Sequence, residues 1–272
     1  MIRIDDPEDP RISAFRDIRE RDLTGRQGLF IAEGEVVVRV LASAVSRCRT
    51  RALLLADTRA EAMADVARSV EAPTYVAPQA VLDRIAGFPL HRGILALGEK
   101  PRPQGVDELL ADAGEDAVVV VASAIGNHDN MGGLFRNAAA FGAHAVLLDE
   151  RCCDPFYRKA IRVSVGAVLR TPFAVGGSAG DLVQRLIARG FEVLALTPSA
   201  SETLAAYRRG GPVAIVLGSE GPGLPTDVIA RCRAVGVPMH GGLDSLNVAA
   251  TSAIALHHLT SAALSGPGSS CG

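Results

Sequence analysis

The sequence predicts an α/β protein, and three observations carry that reading. Short runs such as 117–122 and 213–217 are apolar without alternation, as in strands covered on both faces. Segments with helical apolar spacing, notably 132–141 and 181–189, separate several of them. Glycine-containing loops follow the runs, the order expected of strand–loop–helix units with a parallel sheet and ligands at the strand C-terminal ends.

Taken in order, residues 12–22 carry Ile12, Phe15 and Ile18 at helical spacing, with Arg11, Arg16, Arg19 and Arg21 around them. Residues 24–28 form a loop. A strand at 29–32 leads through Glu33-Gly34 into a helix containing Val36, Val40 and Leu41. Residues 52–56 read as a strand, followed by an Ala-rich helix to about Val70. A strand at 74–76, a helix at 79–85 and a strand at 93–97 complete a first α/β unit. Lys100-Pro-Arg-Pro-Gln-Gly is a Pro-containing connector, and the domain boundary falls there, giving domains 1–105 and 106–272. A helix-like segment at 106–113 opens the second unit. Its strands are 117–122, 145–148, 193–196, 213–217 and 235–237, and its tail after Leu264 is expected to fray.

Composition narrows the class. A chain of 272 residues with 48% hydrophobic and 21% charged content suits two modest domains and excludes wholesale disorder. No apolar run nears the roughly 18–20 residues that span a bilayer, and the acidic, h-region-free start predicts no signal peptide. Five cysteines without a C-x-x-C framework point to a reducing cytoplasm. The six histidines show no metal-ligand spacing with them, so no metal is expected. A net charge of −2 gives no global pull on nucleic acid. Only Lys100 and Lys159 among the 28 basic residues are lysine; the arginine excess suits phosphate contacts, but GC-rich coding, which the Ala and Gly abundance also indicates, is the simpler account.

Three constellations could carry chemistry. After the 117–122 run comes Asn127-His-Asp-Asn-Met-Gly-Gly-Leu-Phe-Arg-Asn, with Asn130 at the expected helix start and Gly142 at its end. Arg136 lies off the apolar face formed by Met131, Leu134, Phe135, Ala138 and Phe141, and its five-donor fork suits a phosphate. The second is Gly218-Ser-Glu-Gly-Pro-Gly223, after a buried strand. It lacks the Gly-Lys-Ser/Thr ending of a P-loop and the G-x-G-x-x-G pattern. Glu220 at its centre would repel a phosphate, so a ligand with a cationic or amine-bearing part fits better. The third runs from Val235 through Pro238, the Gly241-Gly242 bend, Ser245 and Asn247 into an Ala-rich helix, with cap-forming residue types at the helix start.

Together these segments resemble the SpoU (TrmH-like) branch of the SPOUT RNA methyltransferases. The first matches the family's Asn-x-Gly-x-x-x-Arg motif as Asn130-Met-Gly-Gly-Leu-Phe-Arg136. The second matches Gly-x-Glu-Gly-x-Gly as Gly218–Gly223. The third matches Pro-Met-x-Gly-x-x-x-Ser-Leu-Asn-Val as Pro238-Met-His-Gly-Gly-Leu-Asp-Ser-Leu-Asn-Val248. Phe30-Ile-Ala-Glu-Gly and His91-Arg-Gly-Ile-Leu-Ala are similar to the smaller L30e-like domain that many members carry, with Arg92 where the family usually shows Gln.

The resemblance implies a C-terminal SPOUT domain with a parallel sheet and deep trefoil knot, preceded by a small L30e-like RNA-binding domain. It implies a homodimer and S-adenosylmethionine as cofactor, held by Gly218, Val237, Met239 and Leu246, with Thr197 a further candidate. Arg136 would be the catalytic residue in methyl transfer to a ribose 2′-hydroxyl. Asn130, Glu220, Ser245 and Asn247 would position Arg136 and the ribose. The RNA partner is ribosomal or transfer RNA, with ribosomal RNA preferred on domain layout, and Arg158-Lys159-Ala-Ile-Arg162 is either an RNA-contacting surface or a solvated helix face. Two other readings are a non-catalytic RNA-binding protein with a vestigial pocket and a generic nucleotide-binding α/β enzyme.

Overall fold

The computed structural model describes residues 1–16, 28–87, 90, 92–239 and 245–264, the side chains of 262–264 excepted. The chain divides into two compact units, Met1–Arg102 with Asp154–Arg170, and Pro103–Cys153 with Thr171–Gly272.

The first unit is built on a five-stranded sheet. Its strands are β1 (Ile2–Arg3), β2 (Leu29–Glu33), β3 (Arg49–Ala56), β4 (Thr74–Ala77) and β5 (Ile94–Glu99). Their order is β1-β4-β3-β5-β2, with β5 antiparallel to both of its neighbours and the other pairs parallel. Ile12, Phe15, Ile31, Leu54, Leu82 and Leu95 fill one core, joined by the helix Gln79–Ala86, whose Gly87 cap is left-handed as a helix-ending glycine should be.

Asp154–Arg170 packs with this first unit rather than with the second, where the sequence reading had put it. Phe156 stacks on Phe30 at 5.0 Å, Arg158 pairs with Glu33 at 3.3 Å, and the Arg47 amide bonds the Leu169 carbonyl at 2.8 Å. None of these partners is adjacent in sequence, so no local pattern announces the excursion.

The second unit holds six parallel strands, β6 (Val118–Ala122), β7 (Ala145–Leu148), β8 (Phe173–Val175), β9 (Glu192–Leu196), β10 (Val213–Leu217) and β11 (Arg233–Val235). Their order is β11-β9-β10-β6-β7-β8. Val119, Val121, Leu147, Ala195 and Val216 face the helix Ala179–Ala188 in one core cluster. The alternate residues Val118, Val120, Val146, Leu148 and Ile215 are equally buried, which is why these strands read as unbroken apolar runs. The helices His128–Ala140 and Val248–Leu264 pack on each other, and the latter also lies against β6 and β10.

Several expectations shift. The last strand is Arg233–Val235, not 235–237: the Gly236 amide turns to the Glu202 carbonyl, and Val237 and Pro238 leave the sheet. The helix expected over 12–22 is a 3-10 turn, Pro10–Phe15, and residues 17–22 lie outside the described residues, as do the loop at 24–27, His91, the Gly241-Gly242 bend and the tail after Leu264. Arg11 and Arg16 of the basic cluster are ion-paired to Asp9 and Glu8. The edge strands β1 and β8 are too short to register as patterns in sequence.

Candidate functional site

The parallel sheet fixes where a site can form. The chain leaves β6 towards β7 on one side, and leaves β10 towards β11 on the other. The connections therefore diverge from the β6–β10 pair, and a crevice opens above Ala122 and Leu217, which are in register. Both adjoining loops carry residues singled out in sequence.

The loop after β6 is held by buried groups. Asp149, 2% exposed at the end of β7, accepts from Ser123 Oγ at 2.9 Å and from the Ala124 and Arg151 amides at 3.0 Å. Ala124 takes a left-handed backbone, φ 55°, costly for a non-glycine residue and held here by these bonds. Cys152 Sγ bonds the Ala122 carbonyl at 3.3 Å and accepts from the Ile125 amide at 3.4 Å; burial pushes its thiol up to about 12. The following helix is capped by Asn127, whose Oδ1 accepts from the Asp129 amide at 2.7 Å. Asn130 is thus not the cap but the third helical residue, freeing its amide to point elsewhere.

Asn130, 5% exposed, donates from Nδ2 to Glu220 Oε1 at 2.9 Å. Asn247 Nδ2 reaches Asn130 Oδ1 at 2.8 Å and Glu220 Oε1 at 3.0 Å. Three segments 90 and 27 residues apart thereby close a hydrogen-bonded triangle over the crevice. Asn247 uses its remaining atom, Oδ1, to cap the last helix through the Ala249 amide at 2.9 Å.

Beside the triangle lies a pocket lined by Leu196, Thr197, Leu217, Gly218, Glu220, Val237, Met239, Ser245, Leu246, Val248 and Thr251, among others. Every residue expected to hold a cofactor (Thr197, Gly218, Val237, Met239 and Leu246) is on this wall. Gly218 is there for lack of a side chain: a Cβ would fall 2.6 Å from Leu224 N and 2.7 Å from Gly223 O. Gly221 and Gly223 adopt φ 88° and 67°, which turn the chain back on itself.

Two of the expected groups stand apart. Arg136 is exposed and, among the described residues, makes no side-chain hydrogen bond or ion pair. Ser245 lines the pocket but makes no bond to the triangle. In the first unit, Arg158 and Arg162 face the buried carboxylate of Glu33 at 3.3 and 3.9 Å. His257 packs edge-on to Phe141 while His258 bonds the Tyr207 carbonyl, so the adjacent pair faces apart. Sequence reasoning missed Asp149, Asn127 and Thr251. Asp149 could have been found as the polar residue that ends an apolar strand; Thr251 has no such mark.

Comparisons with known proteins place the family and the fold. The sequence model of the SpoU rRNA Methylase family matches residues 117–257. An uncharacterized tRNA/rRNA methyltransferase of Mycobacterium bovis is 38% identical over 267 residues, covering 94% of this chain and 90% of its own. The solved structure of the SpoU methyltransferase AviRb from Streptomyces viridochromogenes, in complex with the cofactor AdoMet, superposes with a TM-score of 0.78 at 22% identity, covering 93% of this chain and 97% of its own. A solved RNA 2′-O ribose methyltransferase gives a TM-score of 0.79 at 25% identity, covering 97% of this chain and 100% of its own.

Proposed function

Because the chain belongs to the SpoU rRNA methylase family, we propose that it transfers a methyl group from S-adenosylmethionine to a ribose 2′-hydroxyl of RNA in the cytoplasm, ribosomal RNA before transfer RNA. The observation that carries this reading is the Asn130–Glu220–Asn247 triangle beside a mostly apolar pocket that ends on a carboxylate.

The lining fits the cofactor. Leu196, Leu217, Val237, Leu246 and Val248 give an apolar slot for an adenosine, and the bare backbone at Gly218 lets hydrogen-bonding atoms approach a base closely. Among the described residues the charged side chain on that wall is Glu220, which is negative and so favours a sulfonium or ammonium and disfavours a phosphate-rich nucleotide. When bound, S-adenosylmethionine supplies an electrophilic methyl group.

The chain's own residues do the rest. A ribose hydroxyl is a weak nucleophile until its proton is drawn off and its approach is held in line. In this reading Arg136 binds the adjacent phosphate through its fork and orients the hydroxyl. A guanidinium is too weak a base to hold that proton at neutral pH, so positioning is its principal task and the proton passes to water as the methyl group leaves the sulfur. With no ion pair among the described residues, the exposed fork is placed to meet RNA. Asn130 and Asn247 hold Glu220 at the pocket rim, and Ser245 faces the same space as a hydrogen-bonding group for the ribose.

The knot and the homodimer are part of the same proposal. Ala250, Ile254 and His257 sit at spacings of four and three on the exposed side of the last helix, with Ile254 41% exposed, a face suited to a second copy. In the first unit, Arg158, Lys159 and Arg162 would contact RNA.

The deciding experiment is transfer of tritium from labelled S-adenosylmethionine into RNA from a knockout strain, separated into ribosomal and transfer pools. Label recovered as a 2′-O-methyl nucleoside, and lost in Arg136→Ala, is the expected result. Cofactor binding without label in either pool would instead favour a non-catalytic RNA-binding protein.

A further inference from the structure

The triangle depends on how two helices are docked, and their contact has its own chemistry. A Cβ at Gly133 would lie 2.5 Å from Ala249 Cβ, so the helices His128–Ala140 and Val248–Leu264 approach there as only glycine allows. One turn on, Asn137 Nδ2 donates to the Ala249 carbonyl at 2.7 Å and to Ser252 Oγ at 2.9 Å. Ser252 is fully buried and its hydroxyl also bonds the Ala249 carbonyl at 2.7 Å. Residues 130, 133 and 137 share one face of their helix, and each engages residues 247–252.

The same turn of the last helix supplies Val248 and Thr251 to the pocket wall, with Leu246 just before it. Arg136 adjoins Asn137 on the other helix. The spacing between the methyl-donor pocket and Arg136 is therefore set by this seam. We infer that Asn137 is a positioning residue for methyl transfer, fixing the first turn of the last helix relative to the helix that carries Arg136. Its two amide hydrogens are both spent on partners in that turn, where a hydrophobic residue of similar size would leave the Ser252 hydroxyl and the Ala249 carbonyl with less directional restraint.

The inference rests on the methyltransferase reading, and the test separates the two. Full-length Asn137→Ala and Ser252→Ala proteins are compared with the parent by hydrogen exchange, S-adenosylmethionine calorimetry and methyl transfer at saturating cofactor, all well below the melting midpoint. For Asn137→Ala we expect exchange of amides 251–255 to quicken about tenfold with β6 and β10 unchanged. Cofactor Kd should rise about tenfold and the transfer rate fall by a similar factor. Ser252→Ala, which removes both bonds of the hydroxyl but keeps the one from Asn137 to the Ala249 carbonyl, should show the same pattern at about a third of the size, and decides the matter if Asn137→Ala does not fold. A lower midpoint with unchanged local exchange, or with Kd and rate within twofold of the parent, overturns the inference. A parent protein that methylates no RNA sinks the methyltransferase reading instead, while exchange and calorimetry still judge Asn137.

Discussion

The two sheets treat their strand ends differently. In the second unit all six strands run parallel, so every C-terminal end lies along one edge. Four of them, β6, β9, β10 and β11, deliver candidate residues there: Asn130, Thr197, Glu220 and Val237. In the first unit β5 runs against its neighbours, which divides strand ends between two edges. Its buried carboxylate, Glu33 at the end of β2, is met by Arg158 and Arg162 of the same unit and held as an internal ion cluster. One sheet gathers polar groups around a space, and the other pairs them off.

The largest effect that could break this contrast comes from glycine. Gly218→Ala should abolish cofactor binding, by more than 100-fold in calorimetry, because its Cβ meets backbone that cannot move aside. Gly98→Ala in the first unit meets the Phe30 ring first, a side chain rather than backbone, so it should lower the melting midpoint while leaving cofactor affinity within twofold. Equal losses of affinity in both would end the distinction. Next in size is Arg136→Lys, which keeps charge and removes the planar fork; turnover should fall about 100-fold with cofactor Kd unchanged. Near-normal turnover would remove Arg136 from the role assigned to it.

A pair of carboxamide substitutions sharpens the comparison further. Glu220→Gln should cost roughly tenfold in cofactor affinity with little change in stability, since Glu220 is exposed. Glu33→Gln should do the reverse, costing roughly 1–3 kcal/mol in denaturant unfolding because two arginines lose a buried partner.

Smaller effects follow from pH. The Ser178 hydroxyl and amide hold the Asp181 carboxyl below its usual range, and Arg39 does the same for Asp65 in the first unit. A depressed carboxylate contributes stability that is present above the unfolded value, about pH 4, and is lost as pH falls through the lower folded value. Asp181→Asn and Asp65→Asn should each match the parent in strong acid and fall below it above that point. Salt should erase the Asp65 difference and spare most of the Asp181 one, since the first is an exposed ion pair and the second a capping box. Least of all, burial pushes Cys48 and Cys152 up to about 12, one in each unit, so both should resist alkylation at pH 7.5 until the chain unfolds.

Much of this was legible beforehand. The runs at 145–148 and 213–217 are strands as read, because a strand buried on both faces has no polar residue to disguise it. The helix ending before Gly142, with φ 66°, and the cap at Asn247 were visible because those residue types do their work locally. What escaped notice has a common cause. Asn130 looked like a cap until Asn127 took that position three residues earlier. The last strand slid two residues because Gly236 found a partner in Glu202, far away in sequence. Asn137 carries no local mark beside Arg136, since its partners, Ala249 and Ser252, are more than a hundred residues off.

The sequence by itself determined the strands buried on both faces, such as 145–148 and 213–217, and the glycine-bearing loops that carry a carboxamide or a carboxylate. Those follow from burial and backbone freedom, which each residue carries with it. Only the tertiary structure decided that β6 and β10 lie side by side, and that Asn130, Glu220 and Asn247 meet within 3.0 Å. It likewise decided that Asp154–Arg170 packs with the first unit. Hydrogen bonds reach about 3 Å, and whether two distant segments come that close is a property of strand order, which no local pattern encodes.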